Sequence, residues 1–197
     1  MLISGKSGRS ASPLRTPQQE RQRLREMARQ AERELAGVQM ASMDELTLLS
    51  NRHGFTALAR LGLDACRELE TSATLLYFTL DEFKRISYLY GRAKADDALK
   101  TFADVLRIGF RENDVVGRLE GDRFAALLTG SSTVLITAIK ARLNEMLEER
   151  NATARHSHDI RFSVAQVEYV PTVHDSIEDL LGEAERAIAD TNPGNAI

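Results

Sequence analysis

Disulfides, membrane spans and a signal peptide are all missing from this sequence. It has a single cysteine, Cys66, which excludes an internal disulfide and is typical of a reducing compartment. No apolar run is long enough to cross a bilayer. Residues 1–6 also lack the apolar core of a signal peptide. We therefore expect a cytoplasmic protein without a membrane span.

The chain also lacks an even distribution of charge. Its formal net charge is −3, but residues 1–40 hold eight Lys or Arg against four Glu, a net +4 that leaves −7 on the rest. A basic arm of this kind can contact nucleic acid or a membrane, or it can be a solvated helix. Because residues 1–40 contain no aromatic side chain on which bases could stack, we favour the solvated helix and expect no nucleic-acid partner.

Two segments precede the main body of the chain. Residues 1–17 are rich in Ser, Gly, Pro and Arg, which predicts a disordered tail. Residues 18–43 contain strong helix formers and no proline, which predicts a helical arm. Its apolar residues recur at spacings of four and three, and this seam comprises Leu24, Ala28, Ala31, Leu35 and Val38. The seam predicts either a coiled coil that pairs two copies of the chain or a single amphipathic helix lying on the domain.

Residues 44–192 alternate between patterns typical of strands and patterns typical of helices. Thr74–Leu80 is a nearly continuous apolar run, which predicts a central strand buried on both faces. Two short strands flank Gly121, and a further strand is predicted over 160–170. Asn51 is a good N-cap for a helix in the segment that follows it. Helical patterns also cover about 93–110, 133–150 and 175–190, and residues 193–197 form a tail. This order predicts an α/β (α+β) domain, with helices on both faces of a mixed sheet.

The most informative stretch joins a charged turn to a hairpin. Gly121 and Asp122 lie between two apolar runs, and glycine supplies the positive φ that a two-residue hairpin turn needs. Upstream, Arg111 and Asp114 are three residues apart at a helix end, so they project to the same side. A guanidinium can donate to O6 and N7 of guanine, and a carboxylate can accept from its N1–H and N2–H₂ edge. The pair suits a guanine, although a solvated turn or a simple ion pair also explains it.

This stretch resembles the GGDEF domain, the diguanylate cyclase family of bacterial signalling. The family's hairpin turn reads Gly-Gly-Asp/Glu-Glu-Phe, and here it reads Glu120-Gly121-Asp122-Arg123-Phe124. Five residues before that signature, many members carry an inhibitory product-binding motif, Arg-x-x-Asp, which Arg111 and Asp114 match at the same spacing. The family's opening motif, Asp-x-Leu-Thr-Gly-Leu-x-Asn-Arg-x-x-Phe, is similar to residues 44–55, with Leu48 in place of its Gly.

The resemblance covers about residues 44–192 and implies a nucleotidyl-cyclase-like fold. That fold has a central mixed five-stranded sheet flanked by helices, preceded here by the N-terminal helix. The resemblance also implies a reaction, because members join two GTP molecules into cyclic di-GMP with two divalent metals held by carboxylates. In the family, a helix like this arm commonly brings two domains together, so we expect a homodimer through residues 18–43.

Four departures from the family fall on positions that this chemistry needs. Thr79 replaces a metal-binding Asp, Glu120 replaces a Gly, and Arg123 replaces the Glu. The last helix also lacks a phosphate-binding Lys, and Asp122 is the only retained candidate for a metal ligand. Since the loss of one charge-stabilising contact lowers a rate about 10²–10³-fold, we predict no useful cyclase activity and no resident cofactor. Mg²⁺ is expected only if residual GTP binding persists.

Three functions remain open. A receptor would bind cyclic di-GMP through Arg111 and Asp114, and through Arg142, which lies where some members place a second arginine. A scaffold without nucleotide would use the helix and the domain surface to contact a protein partner. Residual GTP binding would use the positions that match or replace the family's nucleotide contacts, namely Lys84, Ser87 and Asp96. We favour the receptor, and we expect no metal at His156 and His158 because no further ligand lies nearby.

Overall fold

The computed structural model describes residues 16–130, 133–153 and 159–191. Most of the tail predicted for residues 1–17, the loop with His156 and His158, and the tail predicted for residues 193–197 lie outside the described residues. The chain divides into two units, residues 1–40 and 41–197. None of the helices in the described ranges is both long and apolar enough to cross a bilayer.

The described part of the first unit belongs to helix α1 (Pro17–Ala41), close to the predicted bounds. The Thr16 hydroxyl accepts a hydrogen bond from the Gln19 amide at 3.3 Å, and the Gln19 side chain accepts one from the Thr16 amide at 3.0 Å. This reciprocal cap satisfies two backbone donors at the helix start. Leu24, Leu35 and Val38 of the predicted seam are each more than half exposed, so α1 presents an apolar stripe.

The second unit contains the predicted strands and helices within a few residues of their expected bounds. Asn51 caps the first of its helices, as its position predicted, because its side chain accepts a hydrogen bond from the Gly54 amide at 2.9 Å. The elements follow in this order: α2 (Arg52–Glu68), β1 (Ala73–Leu80), α3 (Phe83–Tyr90), α4 (Arg92–Gly109), β2 (Val115–Glu120), β3 (Arg123–Thr129), α5 (Thr133–Thr153), β4 (Phe162–Glu168) and α6 (Ile177–Thr191).

The described strands form one antiparallel sheet in the order β2-β3-β1-β4. The α+β architecture is confirmed. Within the described residues the sheet has four antiparallel strands, whereas five strands in mixed directions were expected. Beside β2, Ser50 makes one parallel bridge with Gly117 and one antiparallel bridge with Met43.

Strand β1 lies at the centre of the sheet and is buried on both faces, as its apolar run predicted. Phe78 and the residues that alternate with it pack against α4 and α5. Tyr77 and its alternating neighbours pack against α2 and α6 on the opposite face. This alternation follows from the two-residue period of a strand. Side chains at the end of β1 and at the β2–β3 turn therefore project from a well-packed sheet.

Candidate functional site

Three side chains form a row across one end of the sheet. Thr79 on β1 pairs in register with Arg123 on β3 and with Ser163 on β4. Directly opposed residues of antiparallel strands bring their Cβ atoms to about 5 Å. The row therefore offers two hydroxyls and one guanidinium, and none of its three members is a carboxylate.

The β2–β3 turn pairs its own charges. Gly121 has a φ of 53°, in the left-handed region that favours glycine. On either side of it, Glu120 Oε1 accepts a hydrogen bond from Arg123 Nη1 at 3.3 Å. Both side chains are largely exposed, so the pair adds little to the free energy of unfolding. It does, however, engage the Arg123 cation within its own turn.

Tyr77 connects this end of the sheet to α6. Its hydroxyl donates to Glu185 Oε1 at 3.3 Å, and Arg52 on α2 lies 3.4 Å from the same oxygen. Burial and then the Glu185 carboxylate raise the pKa of Tyr77 well above its ordinary value, so the hydroxyl stays protonated. Arg123 also hydrogen-bonds to Tyr77. These four side chains form one polar network on the face of the sheet that carries α2 and α6.

Asp122 follows Gly121 in the β2–β3 turn. It is half-buried, and burial raises its pKa despite the opposing charges of Arg123 and Lys84. A pair of divalent ions needs several oxygen ligands converging on one place. In the part of the chain that the structure describes, no group of three or more His, Cys, Asp or Glu side chains is arranged to hold a metal ion. Asp122 therefore belongs to no such group among the described residues.

Arg111 and Asp114 come together in the turn that joins α4 to β2. Asp114 Oδ2 accepts a hydrogen bond from the Arg111 amide at 3.0 Å, and the Asp114 amide donates to the Arg111 carbonyl at 3.0 Å. The Arg111 side chain is exposed, whereas Asp114 is half-buried. Burial raises the pKa of Asp114, while Arg111 acts in the opposite direction. The turn thus carries one exposed cationic side chain and one half-buried carboxylate, which can accept several hydrogen bonds.

Arg142 lies on α5 and contacts the end of α4. Its Nη2 donates to the carbonyl of Gly109, the last residue of α4 and two positions before Arg111. A guanidinium has five N–H donors, so one carbonyl does not exhaust it. The structure therefore places all three predicted dinucleotide-binding residues at or next to one end of α4.

A cleft of about 780 Å³ lies beside this turn, within the usual range for small-molecule sites. Arg111 and Asp114 line it, and so do Leu48, Leu58 and Leu61. The three leucines are 63%, 49% and 67% exposed, which is unusual for large apolar side chains grouped together. The sequence did not predict that these leucines line the site. Only Leu48 stood out, because it occupies a glycine position of the motif that residues 44–55 resemble.

The turn over residues 44–48 is held by two arginines that sequence reasoning also missed. Asp44 accepts hydrogen bonds from the Thr47 amide at 2.9 Å and from its hydroxyl at 2.6 Å. Both carboxylate oxygens of Asp44 lie 3.1 Å from Arg118 Nη1, and Arg107 Nη2 donates to the Thr47 carbonyl at 2.7 Å. Burial acts to raise the pKa of Asp44, but hydrogen bonds from Thr47 and Arg118 outweigh burial and hold it below the ordinary value.

The candidates for residual GTP binding lie around Gly91, which joins α3 to α4. Lys84 is exposed on α3, and half-buried Ser87 follows on the same helix, with its carbonyl accepting from the Gly91 amide at 3.1 Å. Asp96 is half-buried on α4. A cleft of about 490 Å³ beside α3 is lined by other residues of that helix, among them Tyr90. The three candidates therefore lie on neighbouring helices without sharing that cleft.

The chain matches a family model described as "Diguanylate cyclase, GGDEF domain" over residues 41–193. Among curated relatives, the probable diguanylate cyclase DgcC of Escherichia coli K12 is 30% identical over 125 residues, which are 64% of this chain and 34% of that protein. The chain therefore spans about a third of the length of this relative.

Solved structures share the fold. The GGDEF domain of DgcB from Caulobacter crescentus, in complex with c-di-GMP, has a TM-score of 0.71 at 20% identity and covers 79% of this chain and 92% of that chain. A structure of the coiled coil and GGDEF domain of the same protein, also in complex with c-di-GMP, has a TM-score of 0.69 at 23% identity. It covers 90% of this chain and 91% of that chain. Both confirm the α+β architecture.

Proposed function

Because the chain belongs to the GGDEF domain family of diguanylate cyclases, we propose that it acts in cyclic di-GMP signalling as a receptor, which binds this dinucleotide and does not make it. Arg111, Asp114 and Arg142 form the binding site in this proposal. The protein works in the cytoplasm, in keeping with its single free cysteine.

The row at the end of the sheet supports the loss of catalysis. By resemblance to the family, a metal-binding aspartate belongs at the position of Thr79 and a glutamate at that of Arg123. The strand register pairs these two residues directly, so a neutral hydroxyl and a cation meet where the reaction needs anions. A guanidinium there repels a metal ion and gives it no ligand. We infer that the chain has no useful cyclase activity.

The turn at the end of α4 is the observation that carries the binding proposal. Arg111, whose side chain is exposed, and Asp114 both line a cleft of small-molecule size, and the Arg111 amide donates a hydrogen bond to the Asp114 carboxylate. A guanine edge complements this pair, because it accepts at O6 and N7 and donates from N1 and N2. Arg142 supplies a second cation at the same helix end. The C. crescentus GGDEF domain, which shares the fold, was solved in complex with the same dinucleotide.

The arm supports a second part of the proposal, a homodimer through residues 18–43. Leu24, Leu35 and Val38 are exposed along one seam of α1, and pairing two copies of the helix would cover them. The longer C. crescentus structure combines a coiled coil with its GGDEF domain. A scaffold that binds only a protein partner would use the same arm but would not need Arg111.

Titration of cyclic di-GMP into the purified protein and two arginine variants tests the site. Arg111→Ala should weaken binding at least about tenfold, because a charged hydrogen-bond donor to the ligand is lost. Arg85→Ala is the matched control, since Arg85 is also exposed and pairs at i,i+3 with Glu82 at 2.9 Å, but lies on α3. Equal affinities of the wild type and Arg111→Ala would overturn the site.

Incubation with GTP and Mg²⁺ tests the other half of the proposal. The wild-type protein should form no cyclic di-GMP under conditions in which an active diguanylate cyclase forms it readily. Product formation that depends on Mg²⁺ would contradict the loss of activity. GTP binding without product, if it requires Lys84 or Asp96, would instead support the residual-nucleotide alternative.

A further inference from the structure

Leu48 has a conformation and an exposure that its own packing does not explain. Its φ is 57°, in the left-handed region where a side chain other than glycine is strained. Its side chain is 63% exposed, so little burial within the chain offsets that strain. Strained residues that persist in a fold are concentrated at ligand sites and switches. Leu48 is thus a candidate for contact with something outside the chain.

Hydrogen bonds around Leu48 hold it in this conformation. Its amide donates to the Asp44 carbonyl at 2.8 Å, and the Asp44 amide donates to the Leu49 carbonyl at 2.8 Å. Arg107 binds the carbonyl of the preceding residue, Thr47, at 2.7 Å. The turn is therefore closed from both ends, and the Leu48 side chain is kept in the wall of the cleft beside Arg111.

Leu48 belongs to a larger apolar surface. Leu58 and Leu61 are three positions apart on α2, line the same cleft and are 49% and 67% exposed. We call Leu48, Leu58 and Leu61 the leucine shelf. Arg111 and Asp114 line the cleft together with the shelf. The cleft therefore combines an apolar surface with a paired donor and acceptor.

We propose that the leucine shelf receives the faces of the guanine bases of cyclic di-GMP, with Leu48 as an affinity-determining residue, while Arg111 and Asp114 bind a guanine edge. This inference rests on the proposed function and adds a second kind of contact to it. A purine base has a polar edge and two apolar faces. One ligand can therefore contact both the leucine shelf and the pair formed by Arg111 and Asp114. The charged pair at the shelf favours a nucleotide over an apolar peptide, because a guanidinium beside a carboxylate matches a guanine edge.

Leu48→Gly separates a ligand contact from a structural role, because the two roles predict different results. Glycine accepts a φ of 57° without strain, so the melting temperature should not fall. The affinity for cyclic di-GMP should fall about fivefold to tenfold, because the apolar area that a base would bury is lost. A leucine that merely fills the turn would leave the affinity unchanged.

Two further variants make the test decisive. Glu70→Gly is the matched control, since Glu70 also has a positive φ, of 52°, and is exposed outside the cleft; its affinity should equal that of the wild type. Leu58→Ser should weaken binding as Leu48→Gly does, without a change of backbone conformation. If the wild type binds cyclic di-GMP and both shelf variants bind it with the affinity of the wild type, the shelf inference is overturned while the receptor proposal is retained. If the wild type does not bind cyclic di-GMP, both proposals fail.

Discussion

Arg123 Nη1 lies 3.3 Å from Glu120 Oε1 across the β2–β3 turn. These are two hairpin residues at which the chain departs from the family's signature, and they carry opposite charges. One departure adds a carboxylate where the family has glycine, and the other replaces a carboxylate by a guanidinium. Each of the two charges therefore has the other as a partner within the hairpin turn.

Restoring only the family's acid at position 123 should destabilise the domain. Arg123→Glu places a carboxylate next to Glu120 and the half-buried Asp122, and it removes the cation that offsets both. The free energy of unfolding should fall by about 1 kcal/mol, a modest value because the side chains are largely exposed. The double variant Glu120→Gly/Arg123→Glu should recover most of this loss. Urea unfolding of both variants measures these changes in the free energy of unfolding. A single variant as stable as the wild type would show that the pair of Glu120 and Arg123 contributes nothing to stability.

Because Asp44 contacts Arg118, we expect part of the free energy of unfolding to be lost at acidic pH. Hydrogen bonds hold the folded-state pKa of Asp44 below its ordinary value, so the unfolded state binds protons first as the pH falls. The contribution is complete above about pH 4 and disappears as the pH falls through the folded-state pKa. Asp44→Asn should lower the free energy of unfolding by about 1–3 kcal/mol at pH 7, and by less at pH 3. Urea unfolding at both pH values checks this, and an equal difference at both would contradict it.

The contribution of Asp114 to stability should depend on pH in the opposite direction to that of Asp44. Burial raises its folded-state pKa, so its contribution to stability is present below about pH 4 and is lost as the pH rises through that raised pKa. Asp114→Asn should therefore leave the free energy of unfolding at pH 7 unchanged or slightly higher. Urea unfolding measures this, and a large loss of stability at pH 7 would show that the carboxylate is needed for the turn.

The affinity for cyclic di-GMP should also depend on the protonation of the Asp114 carboxylate. Protonation removes an acceptor for the guanine N1–H and N2–H₂ groups, so the affinity for cyclic di-GMP should weaken on acidification at a higher pH than an ordinary aspartate would give. In Asp114→Asn the affinity should be at least about tenfold lower at pH 7, and its remaining pH dependence in the acid range should be smaller. Calorimetry across pH 7 to about 5 makes the comparison. Parallel pH profiles for the two proteins would exclude Asp114 as the titrating group.

A charge on the seam of α1 should break the homodimer. Leu35→Lys places an ammonium group on the exposed apolar stripe, where two helices would otherwise pack together. Sedimentation equilibrium should show a dimeric wild type and a monomeric variant. Leu69→Lys is the control, because Leu69 is 72% exposed and lies outside the arm. A monomeric wild type at the concentrations used for binding would contradict the proposed dimer.

Local patterns were enough to predict most of the fold. The apolar run of β1 predicted its central, doubly buried position because a strand covered on both faces needs apolar residues throughout. The capping role of Asn51 followed from its side chain and its place before a helical pattern. The number of strands and their directions were not predicted correctly, because strand pairing joins segments far apart in the chain and no local pattern reports it.

The sequence predicted that Arg111 and Asp114 share one turn, but it did not predict the apolar surface beside them. Arg111 and Asp114 are close in sequence, so their spacing alone brings them to one turn. The contact between Asp44 and Arg118 joins residues 74 positions apart, which no spacing rule connects. The exposure of Leu48 is equally non-local, because a leucine in a sequence predicts burial unless the surrounding backbone holds it outwards.

The most direct test of the receptor proposal is calorimetric titration of cyclic di-GMP into the wild-type protein. We predict saturable binding with a dissociation constant of about 1 μM or tighter, an affinity at least about tenfold lower in Arg111→Ala, and an unchanged affinity in Arg85→Ala. No heat of binding, together with no displacement of a labelled dinucleotide, would contradict it. Arg111 and Asp114 would then be remnants of an ancestral site, and the function would lie with the arm and the domain surface.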